Sequence, residues 1–136
     1  MQAHLYLDQD SGGGATDVVS TSIGVTRLLN VVTWARGRGL KVLIGEVAVK
    51  AGVTNANAAW GNLVAAMTQN SDVVAGWLWW AYGPPAWWGN YQYTLCGNSP
   101  QMKLAFPAPT PVPVPVPVPP PKPQATNTIS APRSAA

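Results

Sequence analysis

Lys41-Val42-Leu43-Ile44-Gly45-Glu46 is the stretch whose reading decides the fold. It is a short apolar run that ends in glycine and then glutamate, the pattern of a buried strand followed at once by a carboxylate. Glu46 is the only glutamate among the 136 residues. Burial penalises a charged carboxylate, so this placement is poor for stability and good for chemistry. Everything around it bears on whether the chain supplies the rest of a site.

Upstream, residues 20 to 38 repeat their apolar side chains at helical spacing, with Ile23, Leu28, Val31, Val32 and Ala35 close to one face. Ser20 or Thr21 is the expected cap. Gly37 and Gly39 end the helix, with Arg36 and Arg38 in its last turn, where the helix dipole favours cations. Before it, Asp8-Gln9-Asp10-Ser11-Gly12-Gly13-Gly14 reads as a loop. Asp8 and Asp10 lack the further ligands and the distal glutamate of a calcium loop. Ala3 to Leu7 alternates as a strand does.

Downstream, Val47 to Val53 reads as a loop and residues 55 to 69 as a second helix, capped by Thr54 or Asn55. Val73 to Ala81 is a continuous apolar run, expected to be a strand buried on both faces. Strand, helix, strand, helix, strand with short connections makes two βαβ units and a parallel sheet. In such sheets chemistry sits beyond the carboxyl ends of the strands. His4, Tyr6, Glu46, Trp79 and Trp80 all fall at or near those ends.

Past Asn90 the pattern weakens to a short extended piece at Tyr91 to Leu95 and a final helical turn at Gln101 to Phe106. Ten of the seventeen residues from Pro107 to Pro123 are proline. The expected division is therefore a folded part over 1–106 and, over 107–136, a polyproline spacer with a disordered tail. Linkers of this composition tether a second module, here a carbohydrate-binding or other module not present in the chain. The start, almost inside a strand and without a signal peptide, is that expected of a fragment.

Composition narrows the function. Hydrophobic residues make up 47% and charged residues 10%, with seven tryptophans against one phenylalanine. Tryptophan offers a flat apolar face and a polar edge, suited to stacking on sugars or bases. The net charge of +3 rests on eight scattered basic residues. With no basic run and no basic-aromatic interleaving, a nucleic-acid partner is not expected. No apolar run reaches the roughly 18 residues of a membrane span. Cys96, the only cysteine, has no sequence neighbour to activate it and no CxxC or Cys/His cluster around it, so neither metal nor cofactor is expected.

Three stretches, AHLYLDQDSGGG, IGVTRLLNVVTWARGRGLKVLIGEVAV and NSDVVAGWLWWAYGPPAWWGNYQYTL, resemble in order and spacing the C-terminal part of a glycoside hydrolase family 5 cellulase, an endo-β-1,4-glucanase. The resemblance covers about residues 3 to 95. It implies an α/β fold, the part of a (β/α)8 TIM barrel around its sixth, seventh and eighth strands. It also implies a secreted, retaining enzyme acting on β-glucan such as cellulose. By position Glu46 matches the nucleophile, Tyr6 the tyrosine bonded to it, and His4 the histidine lining the sugar subsite. Trp80 matches the tryptophan platform, with Trp79 as fallback, and Trp87, Trp88, Tyr82 and Tyr91 extend it.

The family's acid/base glutamate, in an Asn-Glu pair on the fourth strand, has no counterpart here, so the isolated chain is expected to be inactive. Trp34, Trp60 and Trp77 are expected to pack structurally. Two other readings remain: a non-catalytic carbohydrate-binding protein that uses the tryptophan strip alone, and a family 5 mannanase.

Overall fold

The computed structural model describes residues 1–107, so the proline-rich spacer and tail lie outside the described residues. Strand β1 (Gln2–Tyr6), helix α1 (Ile23–Arg36), strand β2 (Val42–Ala48), helix α2 (Ala56–Gln69) and strand β3 (Val74–Trp79) follow in that order. Two short helices complete the described part, α3 (Pro85–Trp88) and α4 (Pro100–Ala105). The three strands form one parallel sheet in the order β1-β2-β3. The expected βαβαβ topology is present.

Both long helices cover one face of the sheet. Leu28, Val32 and Ala35 from α1 join Ala59, Trp60, Leu63 and Met67 from α2 in a single core with Leu5, Leu7, Val42, Ile44 and Val47. Gly24 marks how tightly these layers meet, since a Cβ there would lie 2.7 Å from Leu7 and 3.2 Å from Leu63. The opposite face has no second layer among the described residues. It carries Gln2, His4, Leu43, Glu46 and Leu78, and Leu78 is 55% exposed.

Four expectations need correction. β2 runs two residues past Glu46, because Val47 and Ala48 still pair with β1 and are fully buried. Glu46 thus sits within the strand rather than beyond its end. β3 is not buried on both faces: Ala75 and Leu78 are exposed, since β3 is an edge strand whose inner face is uncovered. The cap of α1 also differs, being Ser22 and not Ser20 or Thr21. α2 is preceded by Asn55, one of the two expected residues, with φ of +68°, and neither Ser22 nor Asn55 makes a side-chain capping hydrogen bond. Trp34 is 42% exposed on the outer side of α1, beneath the Arg38 guanidinium at 4.5 Å, and not in the core.

A single irregularity sets the direction of Glu46. Ala3 pairs with Ile44 and His4 with Glu46, so Gly45 is an extra residue, a β-bulge. The same surplus appears on the other side, where Ile44 and Val47 face Trp77 and Trp79. Val42 and Ile44 point into the helix layer, and plain alternation would send Glu46 there as well. The bulge shifts the phase by one, so Val47 and not Glu46 enters the core, and the carboxylate emerges on the open face.

Candidate functional site

The open face is built from alternate residues of β1 and from the bulge of β2. Tyr6 donates its hydroxyl hydrogen bond to Glu46 Oε2 at 2.8 Å. His4 Nδ1 approaches the same oxygen at 3.4 Å. Both contacts fall on Oε2, and among the described residues no hydrogen bond reaches Oε1. The Glu46 side chain keeps 24% of its exposure and that of His4 keeps 49%, so the carboxylate lies at a shallow, accessible depth.

Tyr6 is held from behind. Its ring stacks on Tyr93 at 5.8 Å, and the backbone of Gly13 closes over it so tightly that a Cβ there would sit 2.8 Å from the ring. Gly13 also has φ of +72°, a conformation costly to other residues. Arg27 reaches from α1 and donates to the carbonyls of Tyr6, Asp8 and Gln9, pinning the end of β1. Burial, then the hydrogen bond to Glu46 and the charges nearby, hold the Tyr6 phenol far above its usual range, so it remains a donor. Burial raises Tyr91 too.

Tyr93 is buried, donates its hydroxyl to the Ala15 carbonyl, and is pushed up to about 12 from 10.0, chiefly by burial and then by the charge of Asp8. The folded state therefore binds this proton more tightly than the unfolded chain. Stability from this group is complete below pH 10 and is lost as pH rises from 10 toward 12. Urea midpoints measured across that window should fall, in step with tyrosinate absorbance. The fall should be shallower in Tyr93→Phe; an unchanged slope would remove Tyr93 as the cause.

From Tyr6 a run of aromatic rings leads outward across the segment after β3. Tyr93 meets Tyr91 edge-on at 5.6 Å, Tyr91 meets Trp88 at 5.9 Å, and Trp88 meets Trp80 edge-on at 5.5 Å. Trp80 is 40% exposed, Tyr82 71% and Trp87 75%. The Trp88 indole donates to the Tyr82 carbonyl at 3.2 Å, which fixes the turn that presents these rings.

The structure thus brings Glu46, Tyr6 and His4 together and joins Tyr6 to Trp80 and Trp88 through Tyr93 and Tyr91. Tyr82 and Trp87 lie at the exposed outer rim. Trp79 is a correction: it is 8% exposed, turned to the helix side, edge-on to Trp60 at 5.0 Å, with its indole donating to the Tyr93 carbonyl at 2.7 Å. Adjacent strand residues point to opposite faces, so Trp79 and Trp80 cannot share a platform.

Two residues beside Glu46 and Tyr6 are not singled out by sequence reasoning. Gln2 places its amide nitrogen 3.0 Å from His4 Nε2. Tyr93 falls, in the linear reading, only within an extended piece. For Gln2 the available signal is its i, i+2 spacing from His4, which puts both on one face of β1.

Among the described residues no second carboxylate joins this group. Asp72 sits at the other end of the sheet, paired with Arg36 at 2.8 Å. Asp8 is buried beneath the β1 loop, where one oxygen accepts from the Ala15 amide. Concavities of about 420 Å³ lie between α2 and α4 and along the free edge of β3, and one of about 460 Å³ lies at the start of α2. Glu46 stands instead on an open shelf. Among the described residues no three His, Cys, Asp or Glu side chains converge as metal ligands, and no helix is long and apolar enough to cross a membrane.

Known proteins resemble this chain over most of the described part. The family model for cellulase (glycosyl hydrolase family 5) matches residues 1–83. Endoglucanase gh5-1 of Neurospora crassa is 43% identical over 94 residues, covering 69% of this chain and 23% of its own length. Endoglucanase 3 of Humicola insolens is also 43% identical over 94 residues, covering 69% of this chain and 24% of its own. Among solved structures, an endo-β-1,4-glucanase from Xanthomonas axonopodis pv. citri superposes with a TM-score of 0.70 at 34% identity, over 76% of this chain and 34% of that one. Pseudomonas stutzeri endoglucanase Cel5A, in complex with cellobiose, gives 0.64 at 32% identity, over 76% and 32%. The chain spans about a quarter of the length of these curated relatives.

Proposed function

The chain belongs to glycosyl hydrolase family 5, a family of (β/α)8 barrels, and from that premise we propose that it is part of a retaining endo-β-1,4-glucanase. Residues 1–106 then form the units around the sixth to eighth strands, with Glu46 as the nucleophile. The observation that carries this reading is the Tyr6 hydroxyl at 2.8 Å from Glu46 Oε2.

The chemistry follows from that contact. A nucleophile must stay ionised, and a donor on one oxygen stabilises the anion while leaving the other free. Oε1 bonds to the anomeric carbon as the glycosidic bond breaks, and the leaving oxygen takes a proton from an acid on the other side of the sugar. Water, deprotonated by that same group, then cleaves the glycosyl ester. Retention requires the second carboxyl at about 5–5.5 Å. It comes from another strand of the barrel, because Asp8 is buried with one oxygen on the Ala15 amide and Asp72 is paired with Arg36 at the other end of the sheet. Trp80 and Trp88, extended by Tyr91, Tyr82 and Trp87, line the path of a β-glucan chain. The proline-rich residues 107–136 are a linker to a further module of a secreted protein.

Relatives named endoglucanases, and a neighbour bound to cellobiose, support a glucan over a mannan substrate. The test is to supply the missing βα units from a family 5 relative. The chain alone should not release reducing sugar from carboxymethyl cellulose, and the completed barrel should, with mannan a poor substrate. A completed, folded barrel that binds cellulose without cleaving it would instead support a carbohydrate-binding role.

A further inference from the structure

We infer that Gln2 is a positioning residue, whose amide N–H holds His4 as the neutral Nδ1–H tautomer and so aims a proton at Glu46. For its consequence in catalysis this rests on the reading of Glu46 as nucleophile; the tautomer itself does not. His4 lies between two groups. On one side, Glu46 Oε2, 3.4 Å from Nδ1, is an ionised acceptor, which favours a proton on Nδ1. A neutral ring then has a lone pair at Nε2, which calls for a donor. The Gln2 amide nitrogen, 3.0 Å away, is placed to supply it.

The space for that amide is made by the bulge. A Cβ on Gly45 would collide with the Gln2 amide group. The residue that turns Glu46 outward is thus also the one whose missing side chain lets Gln2 lie beneath His4. In this tautomer a neutral His4 would present its Nδ1–H to the carboxylate without adding a positive charge that would blunt its nucleophilicity.

His4 is the only histidine, so its two ring nitrogens can be followed without ambiguity by nitrogen-15 NMR of the full 136-residue chain. At a pH where the ring is neutral, the Nδ1–H form should predominate. Gln2→Met keeps the length and removes the donor, and should shift the ratio toward Nε2–H by roughly two- to tenfold, the range carried by one ordinary hydrogen bond. Gln2→Glu presents an acceptor and should place a proton on Nε2. Gly45→Ala should displace the amide and reproduce the Gln2→Met shift. Gln2 is exposed, so circular dichroism of its variants should match the parent. A parent chain whose neutral ring is in the Nε2–H form, or a ratio indifferent to Gln2, overturns the proposal. Neither result bears on whether Glu46 is the nucleophile, which rests on kinetics of the completed barrel.

Discussion

Glu46→Gln is expected to lower kcat by at least about 10⁴-fold in a barrel completed with the remaining βα units of a family 5 relative. The amide has nearly the shape of the carboxylate and can still accept from Tyr6, so the shelf of Tyr6, His4 and Glu46 should keep its form. What is lost is the negative charge and the nucleophilic oxygen, and no other carboxylate of the described residues stands near enough to replace them. Binding of a cello-oligosaccharide, followed by calorimetry, should change by only a few-fold, since in the proposed reading the aromatic rings supply most of the sugar contacts. Full turnover by the variant would mean that Glu46 is not the nucleophile. Loss of binding and turnover together, with an altered fold, would point to a structural role.

Trp79→Ala should destabilise the fold by about 3–5 kcal/mol, the usual range for emptying a buried aromatic site. The indole is buried, packs edge-on against Trp60, and donates to the Tyr93 carbonyl at 2.7 Å, so its removal leaves both a cavity and an unpaired acceptor. The disturbance should reach the site as well, because the ring of Tyr93 stacks on Tyr6. Trp80→Ala, one residue along, should leave the urea midpoint nearly unchanged, because the side chain is 40% exposed on the opposite face. Its effect should appear as a several-fold rise in KM for cello-oligosaccharides in the completed barrel. Equal stability losses at the two positions would show that the faces are assigned wrongly.

The pair also marks where sequence reading is strong and where it stops. Two βαβ units can be read from apolar spacing, because helix and strand periods differ and each element is bounded by glycine or a polar turn. The proximity of His4, Tyr6 and Glu46 follows from strand ends meeting at one edge of a parallel sheet, with resemblance supplying the roles. The burial of β3 cannot be read in this way. A run of nine apolar residues suits a central strand, yet its burial depends on which elements lie beside it. Among the described residues none covers its inner face. Trp34 departs from expectation for a related reason: helical spacing places a residue on a face, while burial depends on what packs against that face.

From sequence alone came the order of the elements, the parallel sheet and a lone glutamate at the end of its second strand. Only the tertiary structure decided that Glu46 faces the site. Counting alternate residues from Val42 and Ile44 sends the carboxylate into the core, where desolvation would oppose its charge. The extra residue at Gly45 reverses that phase, and a bulge is a property of paired strands, set by the register of β2 against β1 and β3. The same glycine leaves room for the Gln2 amide beneath His4; the i, i+2 spacing puts the two on one face of β1, but only the packing brings them into contact.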